Sequence, residues 1–297
     1  PGLSIGAPPD PLGPTGQNWG LPPINPRVLA WRGFAPWAAL LRANLRHSGA
    51  LRIDHVLGLF RQFWIPEGMD GTQGAYVRFP CDALLGVLAL EATRANALVV
   101  GEDLGTVPPE VPPTLQRWGV LSSKVLVFER EEGGDFRGPR AYPRMALATA
   151  NTHDLVPLAG WWEGRDVVLR RAVGQLPSDD DAARVAAERV TERARLVALL
   201  VGEGLLDPTA CAADPGDPAS YDERAIRAAV HALLRRTPAW LVGLSLDDVL
   251  GEREPVNLPG VGPDRFPVWR RRLTTELEAL AGRSGLDHDL GVERARP

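Results

Sequence analysis

Asp54, Glu102 and Asp154 each lie at the end of a short apolar run, at intervals of roughly 50 residues, the length of a βα unit carrying insertions. The runs are Leu51-Arg52-Ile53, Ala97-Leu98-Val99-Val100 and Met145 to Ala150. In a barrel of parallel strands, side chains at the C-terminal strand ends converge on one cleft. Two convergent carboxylates can divide glycosyl transfer between a nucleophile and a general acid/base. A metal site is the competing chemistry, because Asp54-His55, Glu102-Asp103 and His153-Asp154 all offer hard ligands. Adjacent strand residues point to opposite faces, so only one of each pair can face the site easily. Three carboxylates without histidine would hold a hard cation weakly, and no metal is expected. The chain has no G-x-S-x-G elbow for a serine triad and no Gly-rich phosphate turn. Five His and two Cys without close spacing exclude a zinc finger.

The elements that must position these acids alternate. The spacing predicts a helix over Trp37 to His47 and a strand over Leu51 to Val56. A helix over Asp82 to Ala95 then leads into a strand at Ala97 to Val100, whose four consecutive apolar residues suit burial on both faces. Pro109 to Trp118 reads as a helical connection, Lys124 to Phe128 as a strand and Met145 to Ala150 as another. Asp179 to Gly202 is the longest helix, with Ala186, Val190, Ala194, Val197 and Val201 as its core face and Arg184, Glu188, Glu192 and Arg195 solvated. A helix from Asp222 to Arg235, a strand at Trp240 to Leu246 and a helix at Trp269 to Leu280 close the pattern. The Pro-, Gly- and Asn-rich first 35 residues read as a structured loop.

This alternation describes a parallel α/β architecture. The expected fold is a (β/α)8 TIM-type barrel with insertions, truncated at the N-terminus so that roughly the last five strands remain. The expected organisation is a loop-rich region over 1–49, the C-terminal part of the barrel over 50–282 with a helical insertion near 163–236, and a tail over 283–297. The chain has 297 residues, enough to bury a large core without staples, and its charge of −4 argues against a nucleic-acid or anionic-membrane partner. Two cysteines and no apolar run of membrane length fit a cytoplasmic protein. Nine Trp against three Tyr is unusual, and sugar clefts use indoles as stacking platforms, although core packing also uses them.

Five motifs stand in order: Gly16-Gln17-Asn18-Trp19-Gly20, Leu51-Arg52-Ile53-Asp54-His55, Gly101-Glu102-Asp103-Leu104-Gly105, Thr152-His153-Asp154 and Pro255-Val256-Asn257-Leu258-Pro259-Gly260. Together they resemble glycoside hydrolase family 77, the 4-α-glucanotransferases or amylomaltases, over roughly Gly6 to Leu280. The resemblance implies a retaining double displacement that moves α-1,4-glucan segments between maltodextrins, a hexosyltransferase reaction with no metal or organic cofactor. By it, Asp54 is the nucleophile, Glu102 the general acid/base, and Asp154 the residue that grips sugar hydroxyls and favours the distorted ring. Arg52 would keep Asp54 ionised, and a neighbouring carboxylate would raise the pKa of Glu102. His55 and His153 are candidate hydroxyl partners. Gln17 and Trp19 match the acceptor-subsite loop, with Trp19 stacking on glucose and Gln17 donating hydrogen bonds; Pro9-Asp10 matches an acidic position before it. Asn257 would border the same cleft.

Asn151 stands where relatives more often carry Thr or Gly, and Leu155 follows Asp154. Relatives also carry the first barrel strands upstream, so the chain alone is expected to be inactive or to need that part. An α-amylase-like hydrolase shares the three carboxylates but does not need the Gln17/Trp19 loop. An inactive glucan-binding fragment is the remaining alternative; retention of all three acids speaks against it.

Overall fold

The apolar run Leu98 to Val100 does lie inside a parallel sheet. The computed structural model describes residues 2–10, 13, 15–207, 220 and 222–280. The chain divides into two units, Pro1–Ser123 with Met145–Leu147, and Lys124–Arg144 with Ala148–Pro297. The expected tail over 283–297 lies outside the described residues.

In the first unit, β1 (Leu3–Ala7), β2 (Gln17–Leu21), β4 (Arg61–Pro66) and β5 (Ala75–Arg78) form an antiparallel sheet in the order β2-β1-β4-β5. The parallel sheet places β3 (Ala50–Ile53) beside β6 (Leu98–Gly101), β6 beside β7 (Val120–Val125), and β7 beside β8 (Ala146–Thr149). Helices α1 (Pro26–Trp31), α2 (Ala35–Leu45), α3 (Cys81–Ala95) and α4 (Val111–Arg117) accompany these sheets. Leu41 and Leu45 of α2 share one core with Leu85 and Leu88 of α3, Val99 of β6 and Leu115 of α4. A bidentate ion pair from Arg42 to buried Glu91, at 2.8 and 2.7 Å, also fixes α2 on α3. Asn96 ends α3 in the left-handed conformation, which turns the chain directly into β6.

The second unit carries α5 (Leu158–Glu163), α6 (Arg165–Ala172), α7 (Asp179–Gly202), α8 (Glu223–Arg235), β9 (Leu241–Gly243), α9 (Leu246–Leu250) and α10 (Leu277–Leu280). Its own core gathers Trp161 and Trp162 of α5, Leu196 and Leu200 of α7, and Val230, Leu233 and Leu234 of α8. Ser178 and Asp181 close a capping box at the start of α7, as its acidic opening suggests. Among the described residues, no helix is long and apolar enough to cross a membrane.

Four expectations about elements need correction. The first 35 residues are not only loop, because β1 and β2 pair there across a register shift between Ile5 and Gly6. The strand expected at Lys124 to Phe128 starts earlier, at Val120, and gives way to a 3-10 turn over Leu126–Phe128. Its polar residues hid it: Ser122 Oγ donates to Asp103 and Ser123 Oγ to the Gly101 carbonyl. The face of α7 that packs inward holds Arg189, Arg193, Leu196, Val197 and Leu200, so Val197 is core as expected, whereas Ala186 and Val190 are exposed. The two guanidinium groups donate to the Trp161 and Trp162 carbonyls near the end of α5. The helix expected over Trp269 to Leu280 is reduced to Leu277–Leu280, because Trp269 has φ of 59° and Glu252 takes the Thr274 amide and hydroxyl.

Candidate active site

β3 and β6 pair in parallel with Arg52 opposite Val100 and Ile53 opposite Gly101, so Asp54 and Glu102 are the next residues on adjacent strands. Backbone bonds hold this level, from Glu102 N–H to the Ile53 carbonyl at 2.9 Å and from Val56 N–H to the Glu102 carbonyl at 3.0 Å. After Asp54 the chain turns sharply, with His55 at φ 49° and ψ 59°. Gly101 makes room for the turn: a Cβ there would lie 2.9 Å from Val56 Cγ1.

The two acids meet different surroundings. Asp54 is well exposed and takes Arg52 Nη1 at 2.6 Å, the pair expected from their shared strand face. Glu102 is half-buried, and its oxygens accept the Leu104 amide at 2.7 Å and the His55 amide at 2.8 Å. Burial raises the Glu102 pKa above the ordinary value, the two amides oppose that rise, Asp54 adds to it and Arg52 subtracts. The Asp54 charge therefore contributes less than burial does, which corrects the simpler expectation that the neighbouring carboxylate is the cause. Asp103 points elsewhere, buried and bound to Ser122 Oγ and the Ser123 amide, as strand alternation requires. Burial lowers the His55 pKa, against the pull of Asp54.

Trp19 packs its edge on His55, with ring centroids 5.1 Å apart and planes at 74°. Its indole N–H donates to Gln17 Oε1 at 3.1 Å, so Gln17 braces the indole. Gly16 permits the entry to β2, with φ of 73° and its missing Cβ only 2.7 Å from Gly71 Cα. Asp10 accepts the Gly13 amide at 2.6 Å within the turn before this strand.

In the second unit, Asn257 Nδ2 donates to Asp154 Oδ1 at 2.6 Å, and His153 Nε2 lies 3.5 Å from Asp154 Oδ2. Trp269, which sequence periodicity placed in a helix, tilts against His153 at 5.3 Å. Asn151 Nδ2 donates to Asp248 Oδ1 at 3.0 Å. Sequence reasoning singles out neither Trp269 nor Asp248; an acid between Leu246 and Val249 on a short apolar helix is the available signal for Asp248. The structure thus assembles Gln17, Trp19, Arg52, Asp54, His55 and Glu102 in one unit, and His153, Asp154 and Asn257 in the other. Among the described residues, no group of three His, Cys, Asp or Glu could hold a metal ion.

Acids at the ends of parallel strands place the chain in the α/β class of barrel-like folds, whose sites are built from strand ends. A 4-alpha-glucanotransferase family model, glycoside hydrolase family 77, matches residues 2–278. The chain belongs to that family. It is 40% identical over 291 residues to a 4-alpha-glucanotransferase of Haemophilus influenzae, covering 95% of this chain and 40% of that protein. It is 43% identical over 280 residues to one from Mycobacterium bovis, covering 92% of this chain and 37% of that protein. The crystal structure of amylomaltase from Corynebacterium glutamicum matches with a TM-score of 0.85 and 37% identity, over 97% of this chain and 41% of that one. The chain therefore spans about two fifths of the length of these relatives.

Proposed function

We propose that the protein is a 4-α-glucanotransferase that moves α-1,4-glucan segments between maltodextrins by a retaining double displacement. The observation that carries this reading is the in-register pair Asp54 and Glu102, one exposed and arginine-paired, the other half-buried with a raised pKa. Adjacent strands lie about 4.8 Å apart, which suits the roughly 5–5.5 Å separation of carboxyl groups in retaining enzymes. Asp54 attacks the anomeric carbon, and the C–O bond to the leaving glucan breaks as Glu102 protonates its oxygen. An acceptor hydroxyl then gives its proton to Glu102 while its oxygen displaces Asp54 from the sugar. Asp154, oriented by Asn257, grips hydroxyls of the distorted ring; the family motif Thr152-His153-Asp154 supports this role. Arg52 holds the nucleophile carboxylate through their ion pair, and His55 and His153 serve the sugar hydroxyls.

Transfer rather than hydrolysis is favoured by Trp19, an indole placed against the residue that follows the nucleophile. An acceptor glucose stacked there competes with water for the covalent intermediate. In the same reading the parallel strands are one portion of a (β/α)8 barrel, the protein is cytoplasmic, and catalysis uses no metal or organic cofactor. The share of the relatives' length that the chain spans supports the first of these. Chain-length analysis of maltotriose incubated with the full natural protein tests the function. Glucose with a ladder of longer maltodextrins, lost in Asp54→Ala and Glu102→Ala, is expected. Glucose and maltose without a ladder would mean a hydrolase.

A further inference from the structure

Asp248 is fully buried within α9, and one of its oxygens does two things. Oδ1 accepts the Asn151 side-chain amide at 3.0 Å and the Leu158 backbone amide at 2.6 Å. Those donors stand at opposite ends of one loop. The loop leaves β8 after Thr149, carries Thr152-His153-Asp154, and ends where α5 begins at Leu158. Leu158 needs such an acceptor, since its N-cap residue is Pro157 and provides no side-chain bond. Within the loop, the Leu155 amide donates to the Thr152 carbonyl and the Asp154 amide to Thr152 Oγ1, both at 3.2 Å, so the turn is a short braced arch.

We propose that Asp248 is the positioning residue of this arch: by holding both ends on one oxygen it fixes where the Asp154 carboxylate stands. The inference rests on the proposed role of Asp154. Asp248 is itself held from behind, because Arg227 Nη1 donates to its backbone carbonyl at 2.5 Å and Arg227 is paired with Glu223 on α8. A second link runs from the same region, as Asn257 lies in the turn that follows α9 and binds Asp154 directly. Asp154 is thus held by Asn257 at its carboxylate and by Asp248 through the two ends of its loop. Asn151 can make this bond because its side chain offers an amide N–H. A loop displaced by about an ångström would still bind glucan but would lose transition-state contacts, which can cost up to about 100-fold.

The test uses the full natural protein and initial rates on maltotriose. Asp248→Leu removes the acceptor while keeping the branched skeleton and is expected to lower kcat at least about tenfold, with KM and the circular dichroism spectrum nearly unchanged. Asp248→Asn keeps Oδ1 and is expected to restore kcat to within about threefold of the parent. The double variant Asp154→Ala/Asp248→Leu is expected to be no slower than Asp154→Ala, since both changes remove the same contact. If Asp248→Leu fails to fold, Asn151→Ala carries the test, with a severalfold loss in kcat that does not multiply with that of Asp154→Ala. Parent kcat in either folded variant, or losses that multiply with Asp154→Ala, would overturn the proposal. Parent activity in Asp154→Ala alone would overturn the role of Asp154 and this inference with it, and is a distinguishable result.

Discussion

The backbone amide of His55 donates to Glu102 Oε2 at 2.8 Å, so the residue after the proposed nucleophile holds the proposed acid. The left-handed turn at His55 is what aims that amide. One turn therefore sets the spacing of both carboxyl groups, and neither can move along its strand without breaking a bond to the other's segment.

Glu102→Gln keeps the size but only one of the two accepted hydrogen bonds, because its amide nitrogen must face the Leu104 or the His55 N–H, and it has no acidic proton to transfer. It is expected to lower kcat on maltotriose by about 10²- to 10⁴-fold, with the protein still folded. In the parent, the first step needs Glu102 protonated, so activity is expected to fall as pH rises through its raised pKa. A kcat/KM profile whose falling limb lies within the range of an ordinary exposed glutamate would contradict this.

Arg52 and Asp54 form an ion pair at 2.6 Å that water reaches on both sides. Such pairs contribute about 0–1 kcal/mol to stability, so Arg52→Leu is expected to leave the urea midpoint nearly unchanged. Its activity loss is expected in kcat, because the charge beside the nucleophile is gone. A large stability loss with normal kcat would reverse the assignment and make Arg52 structural.

Trp19→Ala separates transfer from hydrolysis. The indole's edge contact with His55 and any sugar stacking are each worth roughly 0.5–1.5 kcal/mol. The variant is expected to raise the acceptor KM about three- to tenfold and to shift products from longer glucans toward free glucose. An unchanged ratio of transfer to hydrolysis would remove Trp19 from the acceptor site.

Asp54 and Glu102 are legible in the sequence because each ends a short apolar run, and the start of α7 because three aspartates open it. Strands β1 and β2 are not. They are five residues each, contain Gly and Asn, and owe their structure to pairing, with β1 lying on β4 far along the chain. Strand β7 is shifted because Ser122 and Ser123 look solvated until Asp103 supplies their partner. The inward face of α7 is hidden for a related reason: Arg189 and Arg193 bury against carbonyls that no local pattern reveals. The Asn151–Asp248 bond spans 97 residues, a relationship that only folding creates.

Arg189 offers the clearest stability test on α7. Its guanidinium binds Asp166 through two bonds of 2.8 Å and the Trp161 carbonyl at 2.7 Å, almost out of reach of water. Removing one partner of a buried pair costs about 3–5 kcal/mol, and Arg189→Ala is expected to fall in that range by urea denaturation. Arg184→Ala, which breaks the exposed pair with Glu188 on the same helix, is expected to cost about 0.3–0.5 kcal/mol. Equal losses would mean that burial does not decide the matter.

Asp248 should also leave a signature in stability against pH. Burial pushes its carboxyl up to about 7, with Asp247 adding to the rise, while the Leu158 amide, the Arg227 charge and the Asn151 side chain oppose it. Its folded pKa therefore lies above the unfolded value of 3.8, so between about pH 4 and pH 7 the folded chain keeps a proton that the unfolded chain has released. Over that window this group's contribution to stability falls as pH rises, and it levels off above the folded pKa. Asp248→Asn cannot titrate there. The unfolding free energy of the variant minus that of the parent is expected to climb from pH 4 to pH 7 and then stay flat. A difference that is constant across the window would mean that Asp248 ionises in the folded protein as an ordinary aspartate does.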